Sequence, residues 1–118
     1  MELRFNKLFR AIDTSDTETF LTFLSEDASF IFGNLQPVQG KENIRNFLNQ
    51  FFASIDHTEH SSVKEYKSEN VWFTTGMVEY TRKDGSKLKV PYCNKFEMNG
   101  DDKIAKYEIF VDNSELYK

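Results

Sequence analysis

Three polar residues in the C-terminal half of the chain stand among apolar neighbours, where a proton-transfer group would be shielded from water. Asp112 follows an apolar run, and Tyr92 and Asn94 alternate with apolar residues in a predicted strand. Desolvation raises the pKa of a carboxylate that faces an apolar cavity and prepares it for acid–base chemistry. Tyr92 and Asn94 can orient a ligand carbonyl or hydroxyl group, or they can hydrogen-bond to one another or to the backbone. The alternative for Asp112 is an exposed strand end that caps a turn with Asn113.

The two histidines are the other candidates for proton transfer. His57 and His60 have no cysteine near them, so their spacing makes a poor metal site, and we expect no metal and no cofactor. A histidine beside a pocket can act as a general base, which makes His60 a candidate for the pocket wall. The alternative is an ordinary surface position for both. Trp72 is a candidate for the core or the pocket wall, and Cys93 has no base beside it to activate its thiol.

These residues need a sheet to hold them, and the segment from Val71 to Asp112 predicts three consecutive antiparallel strands. Alternation with period two places every other side chain on one face of a strand, and it runs through most of this segment. The first link contains Asp84-Gly85 and the second contains Asn99-Gly100, which are both strong turn pairs. The strand order of this half of the chain therefore follows from its local hairpins.

The last predicted strand, from about Ile104 to Asp112, is apolar on both faces. We expect Phe110 and Asp112 to face the pocket and Phe110 to contact the ligand. The outer face would then be apolar over a contiguous area, which predicts a homodimer through the sheet. The residues assigned to that outer face are Val71, Phe73, Met77, Tyr107, Ile109 and Val111.

The N-terminal half predicts helices that cover one side of this sheet. Apolar residues recur at helical spacing in three segments, and Ser15 with Glu18 fits a capping box at the start of the second helix. Helices that segregate from a mostly antiparallel sheet define the α+β class, in the order α-α-β-α-β-β-β-β. The predicted elements are a helix around Phe5–Ile12, a helix around Phe20–Leu24, a strand Ala28–Phe32, a loop Gly33–Gly40, a helix Lys41–Ala53 and a strand Glu59–Lys67.

Composition limits the classes of partner. A chain of 118 residues is one domain, and 19 acidic against 15 basic residues give a net charge of −4, which argues against nucleic-acid binding. We expect no membrane partner, because no apolar run is long enough to span a bilayer. The N-terminus lacks the pattern of a secretory signal, and a single cysteine suits a reducing cytoplasm, so we expect a cytoplasmic protein.

Four segments in this order resemble the NTF2-like superfamily, and within it the SnoaL-like branch. The resemblance implies a cone-shaped NTF2-like (cystatin-like) fold over residues 1–118. It leaves the function open, because the superfamily includes polyketide cyclases, ketosteroid isomerase, limonene epoxide hydrolase, dehydratases and non-catalytic binding domains. The segments that carry it are Phe23–Ala28, Pro37–Ile44, Tyr80–Gly85 and Lys103–Tyr107 followed by Phe110–Asp112.

The resemblance also bears on residue roles. Polyketide cyclases of this branch use an aspartate near the end of the final strand as acid and base, and Asp112 matches that position. The positions that correspond to the catalytic residues of the steroid isomerases fall near Phe32, Leu8 and Tyr92, and none holds the required residue type. No Asp-Arg-Asp arrangement suited to epoxide hydrolysis is found.

Together these observations predict an apolar pocket for a small hydrophobic, carbonyl-bearing molecule. As an enzyme, the protein would carry out cofactor-free isomerisation, cyclisation or dehydration, with Asp112 as acid and base and Tyr92 or Asn94 holding the developing oxyanion. The alternative is a non-catalytic module that binds a ligand in the same pocket or acts as a dimeric interaction domain.

Overall fold

The computed structural model describes residues 3–117, which form three helices and one sheet. No helix in this part of the chain is long and apolar enough to cross a membrane. The elements are α1 (Asn6–Asp13), α2 (Thr17–Leu21), β1 (Leu24–Phe32), β2 (Val38–Gln39), α3 (Lys41–Ser54), β3 (His57–Ser68), β4 (Val71–Thr81), β5 (Lys87–Met98) and β6 (Ile104–Val111).

The six strands make one mixed sheet in the order β2-β1-β6-β5-β4-β3. Only the β1–β6 pair is parallel among the described strands, and the other four pairs are antiparallel. The α+β class and the order of the main elements are confirmed. The loop after β1, for which no regular element was predicted, contains the short strand β2, where Gln39 pairs with Ser29.

The N-terminal boundaries differ from the prediction in two places. The second helix ends at Leu21 and β1 begins at Leu24, so Leu24, predicted as the last residue of the helix, belongs to a strand. The side chain that caps α2 is Asp16 rather than Ser15, because Asp16 accepts a hydrogen bond from the Thr19 backbone N–H at 3.2 Å. An acidic cap at this position also complements the positive end of the helix.

Both predicted turns link adjacent strands, although the second has an unexpected backbone conformation. In the β4–β5 link, Gly85 has a φ of +88°, a value that glycine adopts without steric cost. In the β5–β6 link the left-handed residue is Asp102, with a φ of +60°, and not Gly100. The Asn99 side-chain oxygen accepts from the backbone N–H groups of Asp101 and Lys103, and these bonds hold the loop.

The prediction for the faces of β6 is wrong. Residues that pair across antiparallel strands share a face, and the register of β6 against β5 places its apolar set beneath the helices. Lys106 and Glu108 point to the outer face, where their side chains form an ion pair at 3.4 Å. The register pairs Tyr107 with Phe96, Ile109 with Asn94, and Val111 with Tyr92.

The core between the sheet and the helices is rich in aromatic rings. Phe20, Phe96 and Tyr107 are fully buried, and the Tyr107 ring lies within 6 Å of several other rings, the nearest being Phe96 at 4.5 Å between centroids. These contacts join α2 to β5 and β6, so the core fixes the position of β5, the strand that carries Tyr92 and Asn94.

Gly76 on β4 leaves room for the Ser61 backbone of β3 and the Tyr92 side chain of β5 to approach it closely. A Cβ atom at this position would lie 2.7 Å from the Ser61 carbonyl oxygen and 3.0 Å from the Tyr92 hydroxyl oxygen. Beside it, β3 has an irregularity in register between Ser61 and Lys64, and Ser62 has a φ of +56°.

We therefore expect Gly76→Ala to lower the free energy of unfolding by about 1–3 kcal/mol, because the backbone carbonyl of Ser61 has to move. Gly100→Ala is the matched control, since no atom lies within 4 Å of the position of its Cβ and its φ is not positive. That variant should stay within about 0.5 kcal/mol of the wild type. Urea denaturation measures both, and equal effects would contradict the close approach at Gly76.

Candidate active site

The inner face of the sheet and the three helices enclose a cavity of about 40 Å³, which we call the inner cavity. This is room for roughly three water-sized groups, whereas typical small-molecule pockets measure about 300–1,000 Å³. The inner cavity therefore accommodates a ligand of a few heavy atoms, or one end of a larger ligand. Its lining consists of Ile12, Phe20, Phe30, Phe32, Leu48, Phe51, Phe52, Thr58, His60, Val78, Tyr80, Tyr92, Asn94, Tyr107 and Ile109.

Three residues of this lining each carry a buried polar atom that has no hydrogen-bond partner within residues 3–117. These atoms are the hydroxyl oxygens of Tyr92 and Tyr107 and the side-chain carbonyl oxygen of Asn94. The hydroxyl of Thr74, which pairs with Asn94 across β4 and β5, is in the same condition. Leaving a buried polar group without a partner costs about 1–3 kcal/mol. A cluster of such atoms around one cavity is therefore an arrangement in which a polar ligand group gains hydrogen bonds.

Asp13 and His60 form a hydrogen-bonded pair at the edge of the cavity. The Nδ1 atom of His60 lies 2.6 Å from Oδ1 of Asp13, and the side chains are 10% and 24% exposed respectively. The same Asp13 oxygen accepts from the Thr58 hydroxyl at 2.7 Å, and Oδ2 accepts from the His60 backbone N–H at 3.0 Å. The end of α1 thus fixes the imidazole ring against β3.

The environment of this pair keeps Asp13 ionised. Burial by itself raises the pKa of Asp13, but the hydrogen bonds and charge of His60, together with the Thr58 hydroxyl, outweigh burial and lower the pKa below its ordinary value of 3.8. An ionised carboxylate only accepts hydrogen bonds, so Nδ1 of His60 must be the donor. In the neutral imidazole, Nε2 then carries the lone pair and is the basic atom.

The tyrosines of the lining stay protonated at neutral pH. Burial raises the pKa of Tyr92, and the negative charge of Asp13 raises it further. Burial also raises the pKa of Tyr107 well above its ordinary value. The ring of His60 packs edge-on to Tyr92, with 5.3 Å between centroids. A base and neutral hydroxyl donors therefore line one small space, which is the arrangement needed for abstracting a proton next to a carbonyl group.

Of the six residues predicted to form the site, Tyr92, Asn94 and His60 lie on the cavity lining. That they contact a ligand stays a prediction. Tyr92 and Asn94 are there because β5 alternates cleanly between an apolar and a charged face, and both are buried. His60 is there because β3 passes the C-terminal end of α1.

Phe110 is not part of this lining, contrary to the prediction, and Trp72 takes the core position that was the alternative to the pocket wall. Trp72 lies on the inner face of β4 but at its far end, where it packs against the Phe5 ring at 5.6 Å. The guanidinium of Arg4 lies 5.4 Å from its ring centre, and the ammonium of Lys67 lies 5.5 Å from it. Phe110 points to the outer face of the sheet and is 53% exposed.

Asp112 is also outside the inner cavity, and the prediction that it faces the pocket is wrong. It follows β6 on the side of the outward-facing Phe110 and is exposed. Its carboxylate accepts a hydrogen bond from the Ser114 backbone N–H at 3.1 Å, which is the turn-capping role considered as the alternative. It borders an open depression beside β5 and β6, which Tyr92 and Phe110 also line, so three of the six predicted site residues adjoin this depression.

The residue that the sequence interpretation missed is Asp13, which was not among the candidate residues. One signal was present, because an acidic residue at the C-terminal end of a helix opposes the helix dipole. Asp13 is the last residue of α1, directly after the apolar stripe that ends at Ile12. An unfavourable position of this kind indicates that the side chain has another partner.

The second histidine provides an internal comparison. Nδ1 of His57 lies 2.7 Å from Oδ2 of Asp56, but these side chains are 47% and 63% exposed and line no part of the inner cavity. Within residues 3–117, no group of three or more His, Cys, Asp or Glu side chains is placed to hold a metal ion.

The sequence matches the family model of the SnoaL-like domain over residues 5–107. No curated protein matches the chain in sequence. Many solved structures match in fold. Those named below are 14–15% identical in sequence, so they are informative about fold alone.

Three of these structures show how closely the fold agrees despite low sequence identity. A candidate polyketide cyclase from Xanthomonas campestris pv. campestris is 15% identical, with a TM-score of 0.84 over 93% of this chain and 88% of that chain. TerC co-crystallised with polyporic acid is 15% identical, with a TM-score of 0.82 over 94% of this chain and 90% of that chain. A protein of ketosteroid isomerase-like fold from Catenulispora acidiphila, in complex with trimethylamine, is 14% identical. Its TM-score is 0.79 over 88% of this chain and 81% of that chain.

Proposed function

Because this chain belongs to the SnoaL-like domain family, we propose that it is a cofactor-independent enzyme that transfers a proton on a small, neutral carbonyl compound. The reaction would be an isomerisation, a cyclisation or a dehydration. The observation that carries the proposal is the hydrogen bond of Asp13 to His60, which lines an apolar cavity together with Tyr92 and Tyr107, whose hydroxyls have no partner within residues 3–117. The base is therefore His60, and Asp112 has no part in the reaction.

Each residue has a defined role in the proposed step. Nε2 of His60 removes a proton from the carbon next to the carbonyl group, and Asp13 stabilises the imidazolium that forms. The electron pair of the broken C–H bond forms a carbon–carbon double bond, and the carbonyl oxygen becomes an oxyanion that the hydroxyls of Tyr92 and Tyr107 hold. His60 then returns the proton to another atom of the same molecule. The Asn94 oxygen accepts from a substrate hydroxyl group.

The charge of the lining limits the substrate to neutral compounds. No lysine or arginine in the described part of the chain lines the inner cavity, and the Asp13 carboxylate is hydrogen-bonded to His60 on its wall. An anionic group would therefore lose its hydration without gaining a cationic partner. This supports a ketone, an aldehyde or an enol as the reacting group, and it argues against a carboxylate or a phosphate.

The test uses acetone, a neutral ketone of four heavy atoms that needs only the inner cavity. Proton abstraction next to the carbonyl group replaces its hydrogens with deuterium in D₂O, and the loss of signal is followed by proton NMR. The proposal predicts exchange faster than that caused by the same concentration of free imidazole at the same pH. A non-catalytic binding module, the alternative function, would not accelerate this exchange above the imidazole rate.

We further propose that the protein is a homodimer through the outer face of the sheet. Phe73, Met77 and Cys93 on this face are half-buried, and Phe110 beside Cys93 is 53% exposed. Neighbouring apolar residues on an exposed sheet face are typical of interfaces. The thiol of Cys93 would then lie near the interface, which suits the reducing cytoplasm that we propose as the location.

Phe110→Asp should convert the dimer into a monomer, because a charge would be buried without a partner at the centre of the contact. Leu35→Asp is the matched control, since Leu35 is 54% exposed on a different part of the molecule. Size-exclusion chromatography with light scattering gives the mass of each variant. A monomeric wild-type protein would contradict the proposed interface.

A further inference from the structure

A second pocket of about 200 Å³ adjoins the inner cavity, and we call it the outer pocket. Phe32 and Phe51 line both spaces. Their rings meet edge to face, with 5.2 Å between centroids, so they form a partition one ring thick. The outer pocket is lined by Phe32, Leu35, Phe47, Gln50, Phe51, Ser54, Asn113 and Tyr117.

The C-terminal segment forms one wall of the outer pocket and is anchored in three ways. The side chain of Leu116 is buried, and Arg82 donates from Nε to the Leu116 carbonyl oxygen at 2.9 Å and from Nη2 to the Glu115 carbonyl oxygen at 2.8 Å. The Tyr117 hydroxyl lies 2.8 Å from Oγ of Ser54 on α3. This wall is therefore held in place even though Tyr117 itself is 66% exposed.

The chemistry of the outer pocket selects a class of ligand. Its apolar surface comes from aromatic rings and Leu35, and its polar groups are the neutral amides and hydroxyls of Gln50, Ser54, Asn113 and Tyr117. No charged side chain within residues 3–117 lines it. Leu35 and Tyr117 are each more than half exposed, so apolar area at this position remains available to a ligand. Flat aromatic molecules without charge, carrying a carbonyl or hydroxyl group, fit these properties.

We propose that the outer pocket binds the body of a neutral aromatic ketone while its carbonyl end passes the Phe32–Phe51 partition into the inner cavity. Entry of the carbonyl end requires the half-buried ring of Phe51 to turn away from Phe32. This explains how a site with an inner cavity of about 40 Å³ serves a substrate of ten or more heavy atoms. The binding site stands on its own, and only the purpose of the carbonyl end rests on the proposed function.

The probe for this inference is 2-tetralone, a neutral bicyclic ketone, and 2-naphthoate is its anionic counterpart of similar ring size. We expect 2-tetralone to bind saturably and 2-naphthoate to bind at least about tenfold more weakly, because no cationic side chain among the described residues lines either pocket. Bound 2-tetralone should show proton–proton NOEs to the rings of both Tyr117 and His60. Tyr117→Ala should weaken its binding at least about fivefold, whereas Tyr66→Ala, which removes a ring 52% exposed on the outer face of β3, should leave it unchanged.

Equal affinity for the two probes would overturn the inference, and so would unchanged binding in Tyr117→Ala or NOEs to only one of the two rings. The binding measurements are independent of catalysis and are repeated on His60→Gln. If 2-tetralone binds to this variant as described but acetone exchange is absent in the wild type, the proposed function fails and the outer pocket stands. If exchange of acetone is present and 2-tetralone does not bind, the proposed function stands and the outer-pocket inference fails.

Discussion

Replacing His60 with glutamine should lower the protein-dependent exchange of acetone hydrogens at least about 100-fold, the scale of a general base in other enzymes. Glutamine keeps a polar side chain that can still donate to Asp13, but it has no basic atom near neutral pH. The loss should therefore appear in the rate and not in the fold. NMR exchange rates and thermal unfolding of the same samples measure the two effects.

His57→Gln is the matched control for this variant. His57 makes the same type of contact, with Nδ1 2.7 Å from an aspartate oxygen, but its partner is Asp56 and both side chains are largely exposed. Its exchange rate should stay within about twofold of the wild type. If both variants lost activity equally, or if neither did, the assignment of His60 as the base would be incorrect.

The fold was predictable from sequence where alternation had one polar face. In β5 the charged set of Lys87, Lys89 and Lys95 points outward, so the inward positions of Tyr92 and Asn94 followed directly. In β6 both sets contain large apolar residues, and alternation alone does not choose between them. The register with β5 decides the faces, and that register depends on the loop between the strands and the irregularity after Glu97.

The site was less predictable because its central contact joins distant parts of the chain. Asp13 and His60 are separated by 47 positions, and they meet only because β3, an edge strand of the sheet, runs past the end of α1. No local pattern encodes that contact. Asp112 matches a catalytic position of the polyketide cyclases that the sequence resembles, yet it lies outside the inner cavity and accepts a hydrogen bond from the Ser114 backbone N–H.

The partition between the two pockets was equally inaccessible to sequence reasoning. Phe32 ends β1 and Phe51 lies near the end of α3, and each looks like an ordinary core residue in the sequence. Their shared role depends on the loop after β1 and on the C-terminal segment, which close the far side of the outer pocket. Irregular segments like these have no periodicity from which to predict a position.

Tyr92→Phe should separate function from stability, because the two effects have opposite signs. The Tyr92 hydroxyl is buried without a partner in the described part of the chain, so its removal should raise the free energy of unfolding by about 1 kcal/mol. If the same hydroxyl holds the developing oxyanion, the exchange rate should fall at least about tenfold. Urea denaturation and the acetone assay measure the two quantities on one sample.

A structural hydroxyl would behave in the opposite way, since losing a satisfied hydrogen bond lowers stability and leaves the exchange rate unchanged. Tyr66→Phe is the control, because its ring is 52% exposed and a solvated hydroxyl contributes to neither quantity. A stabilised but slower Tyr92→Phe protein would mean that the folded state keeps an unfavourable buried hydroxyl because the reaction uses it. A destabilised protein of normal rate would remove Tyr92 from the proposed mechanism.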